Sequence, residues 1–410
     1  MIRISSQQIF SGGINRLQEL NTTLNNTQQQ ISTGKRVNTP SDDPVAAARI
    51  LKLDQELSRV ETYQRNVNLA NNRLSQEESA LESATDIIQR VRELTVQAGN
   101  GSLSANDRRS ISSELKERLG QLASVANTRD ASGEFIFSGF QGSVKAFQQD
   151  PSGSWVYQGD EGQRNLEIDD GVTVPISDHG KGIFVTIPAA PTGEVTSAAP
   201  ANERISGVKV SNQAALEGLS TGDFEITVSS IAPDEVTITG PGGAPVTDSQ
   251  GNSLPATFAF ADGEPIQAFG LEFTISNAGI GDSFAIDTNQ KQSVFKTIEN
   301  LVAGLESIDK STAQGTAEFD DLIANSLINL DNAQESIVLK QTELGGRMNA
   351  VESTQQFLED SSVYANEIRS ELQDVDYAEA ISNLSFQSFV LQAAQQSFAQ
   401  VSQLSLFDRL

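Results

Sequence analysis

Residues Val375 to Leu410 read VDYAEAISNLSFQSFVLQAAQQSFAQVSQLSLFDRL, a stretch whose only charged side chains are Asp376, Glu379, Asp408 and Arg409. Ala380, Leu384, Leu391, Ala394, Phe398 and Val401 recur at steps of three, four or seven, which is one stripe of an α-helix, flanked by Ile381, Val390, Leu404 and Phe407. The other face is Gln-rich: Gln387, Gln392, Gln395, Gln396, Gln400 and Gln403. A helix so apolar and so short of charge gains little from standing alone in water. It either docks on its own domain or completes its packing among other copies or a partner.

The opposite end of the chain repeats this character. Between Gln7 and Thr33, Phe10, Ile14, Leu17, Leu24 and Ile31 follow a heptad grid, with Asn21 and Gln28 at the intervening seam positions. The two ends therefore read as partners in one coiled coil that gains its full order on assembly. Polar residues on such a seam weaken it and fix its register.

Inward from each end lies a longer helix. Gly34 suits a helix C-cap, and Asn38-Thr39-Pro40-Ser41-Asp42-Asp43-Pro44 restarts the chain with Asp43 as N-cap and Pro44 in the first turn. Ile50, Leu53, Leu57, Val60, Val67, Leu74, Leu81 and Ile88 then predict a helix to about Gln97, roughly 80 Å at 1.5 Å per residue. Ser104-Ala105-Asn106-Asp107 opens a third helix with an Asp form of the capping box and Ile111, Leu115, Leu119, Leu122 and Val125 inward. Near the other end, Val294, Ile298, Leu301, Leu305 and Ile308 predict one helix. Ile323, Leu327, Leu330, Ile337, Leu344, Met348, Val351, Leu358, Ala365 and Leu372 predict a second long one.

Between these blocks the composition changes. All but two of the 12 prolines lie between Pro151 and Pro265, punctuating short alternating runs at 155–157, 184–187, 224–228, 236–239 and 271–275. The chain is thus expected to be α+β and multidomain. Residues 1–40 and 375–410 form a terminal coiled-coil domain. Residues 41–142 and 288–374 form a long-helix bundle with a β-hairpin, and 143–287 an inserted, acidic, mainly-β domain. That nesting places both termini at one end of a rod.

The chemistry of the chain excludes more than it suggests. Lys and Arg total 28 against 54 Asp and Glu, a net charge of -26, which argues against a nucleic-acid partner or an acidic membrane surface. There is no cysteine and one histidine, His179, in a turn-rich string, so a zinc site of the usual kinds cannot be built. Gly34-Lys35 fails as a phosphate loop because Arg36 follows it. Asp42-Asp43 and Asp169-Asp170 read as cap and turn residues, and no enzyme, metal or cofactor is expected. The opening residues lack the apolar core of a secretory signal, so any export is expected to proceed without a cleaved signal peptide, and no apolar run is long enough for membrane insertion.

Two motifs add a resemblance. Residues 30–44, Gln30-Ile31-Ser32-Thr33-Gly34-Lys35-Arg36-Val37-Asn38-Thr39-Pro40-Ser41-Asp42-Asp43-Pro44, resemble the turn between the two N-terminal helices of bacterial flagellins. Residues 88–102, from Ile88-Gln89-Arg90-Val91-Arg92-Glu93-Leu94 to Ser102, are similar to that family's helix end. Leu344 to Ala399 resembles the family's C-terminal region more loosely. Pro44-Val45, the opening Arg3-Ile4-Ser5, Gly133-Glu134-Phe135-Ile136-Phe137-Ser138-Gly139 and the ending Leu404 to Leu410 depart from filament subunits toward the family's hook-associated branch. The resemblance implies an extracellular structural adaptor at the hook-filament junction, and export by the flagellar type III route. Its implied partners are other copies in a ring, another hook-associated protein, flagellin, and an export chaperone on the C-terminal segment. It also places Arg90, Leu94 and Glu114 in a region that packs neighbouring subunits in the filament and that an innate immune receptor recognises. A filament subunit is the alternative within the family. Outside it, a surface adhesin would use Trp155, Tyr157, Phe184, Phe258 and Phe260 as a sugar platform.

Overall fold

In the computed structural model the two terminal segments are helices laid against one another, α1 (Ile2–Thr33) and α7 (Tyr377–Phe407). The described residues are 2–197, 203–231 and 234–407, and side chains are described for residue 8, residues 10–197, 203–231 and 234–400. The side chains of Val401, Leu404 and Phe407, which the sequence assigns to the α7 stripe and its flanks, lie outside that set. Within the chain each of these helices offers the other an apolar stripe.

Contacts divide the chain into two units. The first comprises Met1–Asn68, Glu167–Val172 and Glu352–Leu410. Gly34 ends α1 in the left-handed conformation (φ 73°), and a side chain there would also meet the Tyr377 hydroxyl at 3.0 Å. The turn is then clamped: Arg36 N donates to Gln373 O (2.6 Å) and Val375 N to Gly34 O (3.0 Å). Asp42 accepts the N–H groups of Asn38 and Thr39. Asp43 accepts those of Val45 and Ala46 at 3.1 and 3.0 Å, the N-cap that starts α2 (Pro44–Ala98). Val37, Ala46 and Ile50 form a small core with Leu372 from the end of α6 (Ala313–Gln373).

The second unit comprises Leu69–Leu166 and Thr173–Val351. Its helical part contains the rest of α2, α3 (Ala105–Ala126), α5 (Val294–Ser307) and most of α6. Leu74, Leu81, Ile88, Leu115, Leu122, Ile337 and Leu344 are all fully buried, as their periodicity predicts. The capping box at α3 is present, Ser104 Oγ accepting from Asp107 N while Asp107 accepts from Ser104 N. After α3, Arg129 and Phe135 bridge across a turn at Gly133, the expected hairpin in short form.

Two β assemblies follow. The first is a set of short pairs: β1 (Phe147–Gln149) with β2 (Trp155–Tyr157), β5 (Ile187–Pro188) with β14 (Lys291–Gln292), and β3 (Asn165–Asp169) with β4 (Val172–Pro175), a hairpin whose tip, Glu167–Val172, is counted with the first unit. Phe137, Phe147, Phe184 and Phe295 cluster there with ring centroids 4.7 to 6.3 Å apart. Phe184-Val185, expected in a strand, sit instead in a π-helical turn, Lys181–Val185, because that turn drives Phe184 into the aromatic cluster. The second assembly is a sandwich. Its larger sheet has the order β10-β9-β8-β13-β6, from β6 (Thr192–Val195), β8 (Asp223–Ile231), β9 (Asp234–Thr239), β10 (Thr257–Ala259) and β13 (Ser283–Asp287). Its smaller sheet is β11-β12-β7, from β7 (Arg204–Val210), β11 (Pro265–Ala268) and β12 (Leu271–Ser276), with the short helix α4 (Gln213–Glu217) beside it. Alternate residues point inward, so Phe224, Ile226 and Val228 meet Phe273, Ile275 and Phe284 in one core drawn from residues 205–286. Arg204 ties the sandwich to α6 through Asp321 (2.6 Å) and Gln314 O (3.1 Å).

Candidate assembly interface

In the first unit, the seam between α1 and α7 is the feature to which the sequence assigned function. The helices run antiparallel, Phe10 stacking near Phe398 (centroids 4.9 Å) and Thr27 facing Gln387. Gly13 lets the helices close: a Cβ there would meet the Phe398 ring at 2.8 Å. The register differs from the sequence-derived grid. Leu17, Leu24 and Ile31 are in the seam as expected, but Leu20 and Thr27 take the intervening positions, while Asn21 and Gln28 are exposed and Ile14 lies at the margin, 37% exposed. The physical reason is the polar pair: Thr27 Oγ1 donates to Gln387 Oε1 at 3.0 Å, which draws Thr27 inward to 7% exposure. On α7, Ala380 is buried and Leu384, Leu391, Ala394 and Phe398 are half-buried. Gln387, assigned by sequence to the outer face, belongs to the seam.

The outer side of α7 is not uniformly polar. Phe386 and Phe389 are 67% and 68% exposed, and Ile381 and Tyr377 are about as open as Phe10. The end of α6 in the same unit adds Phe357, Val363 and Tyr364, all exposed. None of these aromatics was singled out from sequence. Being off the seam grid, Phe386 and Phe389 could have been read as a second stripe on a helix poor in charge.

In the second unit, Arg90 Nε donates to Glu114 Oε1 at 2.9 Å and Arg90 Nη1 to Glu93 at 2.8 Å, and Arg90, with Arg118 nearby, holds the Glu114 carboxyl below its usual range. Leu94, grouped with them by the resemblance, is 1% exposed. It is a core residue, since α2 turns it toward the interior, and the surface patch consists of Arg90 and Glu114. The five aromatics of the sugar-platform reading are also accounted for by packing: Phe184 is fully buried, Phe258 and Phe260 cover the sandwich core, and Trp155 and Tyr157 lean on Phe295 and Phe147. His179 is half-buried, its Nδ1 accepting from Gly182 N at 3.1 Å. Among the described residues no group of three or more His, Cys, Asp and Glu is placed to hold a metal ion, and no helix is long and apolar enough to cross a membrane.

Two family models match this chain: the bacterial flagellin N-terminal helical region over residues 4–142, and the C-terminal helical region over residues 327–410. Together they span more than half of it. The chain belongs to the flagellin family. Within that family it is 34% identical over 186 residues to flagellar hook-associated protein 3 of Salmonella typhimurium, an alignment covering 45% of this chain and 58% of that protein. It is 24% identical over 406 residues to flagellar hook-associated protein 3 of Escherichia coli, covering 99% of both. The crystal structure of flagellar hook-associated protein 3 from Legionella pneumophila superimposes with a TM-score of 0.65 at 26% identity, over 79% of this chain and 98% of that one.

One feature of this flagellin-family chain escaped the sequence entirely, a buried polar network in the second unit. Glu77 on α2 (2% exposed) lies beside Asp178 (4%), which accepts from Arg347 of α6 at 2.8 and 3.3 Å, from Gln163 at 2.9 Å and from Lys340 at 3.4 Å. Glu343, one turn before Arg347, pairs with both cations. Burial and the adjacent Asp178 push the Glu77 carboxyl up to about 8. Burial opposes the charge on Asp178, but Arg347 and Lys340 hold its carboxyl below the usual range. Burial and the neighbouring Asp178 thus favour the protonated form of Glu77, whose proton is shared with Asp178. The network joins α2, the 178 loop and α6.

Proposed function

We propose that this chain is a structural, non-enzymatic adaptor of the bacterial flagellum that joins the hook-associated region to the filament by self-assembly of its terminal helices. The observation that carries the reading is the α1/α7 pair, whose seam stays half-exposed within one chain and whose outer side presents Phe386 and Phe389. Apolar surface of this kind is covered when further copies pack alongside, at about 25 cal/mol per Å² removed from water. The Escherichia coli relative aligned over 99% of this chain is named a flagellar hook-associated protein, which supports a place beside the hook rather than along the shaft.

In this reading the terminal domain, 1–40 with 375–410, forms the ring. The bundle, 41–142 with 288–374, packs laterally through Arg90 and Glu114, and the acidic β-rich part within 143–287 faces outward. Another hook-associated protein and flagellin are the axial neighbours. A chaperone holds the apolar C-terminal segment before export, which proceeds without a cleaved signal. Immuno-electron microscopy on intact flagella tests this: a label confined to one joint near the hook is expected. Label distributed along the shaft would replace the adaptor with a filament subunit.

A further inference from the structure

The second unit carries a groove of about 370 Å³ that neither the fold nor the proposed terminal ring uses. Its walls come from the C-terminal turn of α3 and from β2, and Trp155, the chain's only tryptophan, lines it with Phe135. Two cations stand at it. The Arg129 guanidinium lies over the Phe135 ring, 4.4 Å from its centroid, and Lys145 is exposed. Among the described residues neither has a carboxylate within 4 Å, in a chain where acids outnumber bases 54 to 28.

The same unit exposes the complement. Glu78, Glu82 and Asp86 on α2 are spaced by four, all exposed, and form one acidic face with no ion-pair partner among the described residues. Like charges at that spacing repel one another along a helix. Neither surface satisfies the other within the chain. Arg129 adjoins α2 at another point, where Gln76 Nε2 donates to Arg129 O.

We propose that the groove of one copy receives the Glu78/Glu82/Asp86 face of the next. A cationic groove with an aromatic wall suits carboxylates carried on a helix: Arg129, held over the buried Phe135 ring, and Lys145 pair with the acids, and the half-buried Trp155 packs against the methylene stems between them. Because groove and acidic face are different surfaces of one unit, the contact is heterologous, the kind that repeats around a ring. This inference rests on the self-association reading above and supplies it with a second, lateral contact outside the terminal helices.

The absence of native cysteine makes the contact directly testable. Full-length Ser124→Cys, at the groove, and Glu82→Cys, on the acidic face, are co-expressed in flagellated cells lacking the unmodified chain. Isolated flagella are oxidised and immunoblotted without reductant. A disulfide-linked dimer is expected from the mixture and not from either variant alone, which removes bonds within one chain from consideration. Adding Arg129→Glu and Lys145→Glu to the groove copy is expected to abolish that dimer. A dimer that survives charge reversal overturns the proposed chemistry of the contact. Glutaraldehyde on the same flagella reports self-association through any surface. Homo-oligomers there without the disulfide dimer overturn the groove contact and leave the terminal ring standing. No homo-oligomer by either route overturns both.

Discussion

Helices α1 and α2 are written in the same heptad grammar and end in opposite states. On α2, Leu74, Leu81 and Ile88 reach zero exposure within the second unit. On α1, which packs on α7, Leu17, Leu24 and Ile31 remain half-buried, and Phe10 is 46% exposed. Apolar periodicity therefore specifies a face that wants cover. How much cover it receives is set by the number of helices that can reach it, and the shortfall at α1 is what assembly can make good. The polar interruptions differ in the same sense. Glu77 in the α2 stripe is enclosed in a network of charges, whereas Thr27 in the α1 seam needs only one hydrogen bond to Gln387.

The largest effect that would probe this contrast comes from the enclosed network. Arg347→Met strips Asp178 of its bidentate partner and leaves two neighbouring carboxyl groups buried with Lys340 and the neutral Gln163 as donors to Asp178. Removing one member of a buried charged set costs about 3–5 kcal/mol, expected here as a fall in the denaturant midpoint. A loss below about 1 kcal/mol would mean that the network is hydrated and that α2 is no better enclosed than α1. Next comes the direct comparison. Leu74→Ala is expected to cost about 2–5 kcal/mol, and Leu24→Ala, at an equivalent heptad position that stays partly exposed, a smaller loss, under about 2 kcal/mol in the isolated chain. Similar losses at the two positions would erase the distinction drawn between the helices.

A smaller, pH-dependent effect belongs to Glu77. Its carboxyl is raised to about 8 in the folded chain against an ordinary 4.5. Between those values the unfolded chain has released a proton that the folded chain retains, so the contribution to stability is complete below about 4.5, declines as pH rises, and is gone above about 8. Glu77→Gln, which keeps the shape and a donor for Asp178, is expected to flatten that decline. Thermal midpoints measured from pH 5 to 9 check it: variant and parent curves that stay parallel would remove the shared proton from the account.

These residues also show how far the sequence can be read. Asp43-Pro44 and Ser104/Asp107 were legible because each cap is satisfied by groups within a few residues, and Gly34 because the left-handed turn it takes favours glycine whatever the partner. The strands at Phe224 and Leu271 were legible because alternation at period two survives without knowledge of the partner strand. Leu20 and Thr27 were not, since choosing between two heptad positions depends on Gln387, 360 residues away. Nor was the Phe184 turn, whose conformation is decided by Phe137, Phe147 and Phe295. Arg347 and Asp178 read as surface charges until the fold brings them together, and Leu94 had its role assigned by resemblance before its burial could be seen.

The smallest change in stability should accompany the largest change in assembly. Phe386 and Phe389 lie on the outer side of α7 with about two-thirds of their surface in water, so they contribute little to the isolated chain. Phe386→Ser with Phe389→Ser is expected to shift the unfolding free energy by no more than about 0.5 kcal/mol, the usual range for exposed positions. If the outer face of α7 is where further copies pack, the same double variant, exported normally, loses its place on the flagellum and the cells lose their filaments. Gln387→Ala makes the matched control, because it removes the Thr27 partner on the seam side and leaves the outer face intact. Filaments retained by the double phenylalanine variant and lost with Gln387→Ala would locate assembly in the α1/α7 seam itself. The reverse pattern places it on the outer face, where a helix with almost no charge keeps two phenylalanines exposed.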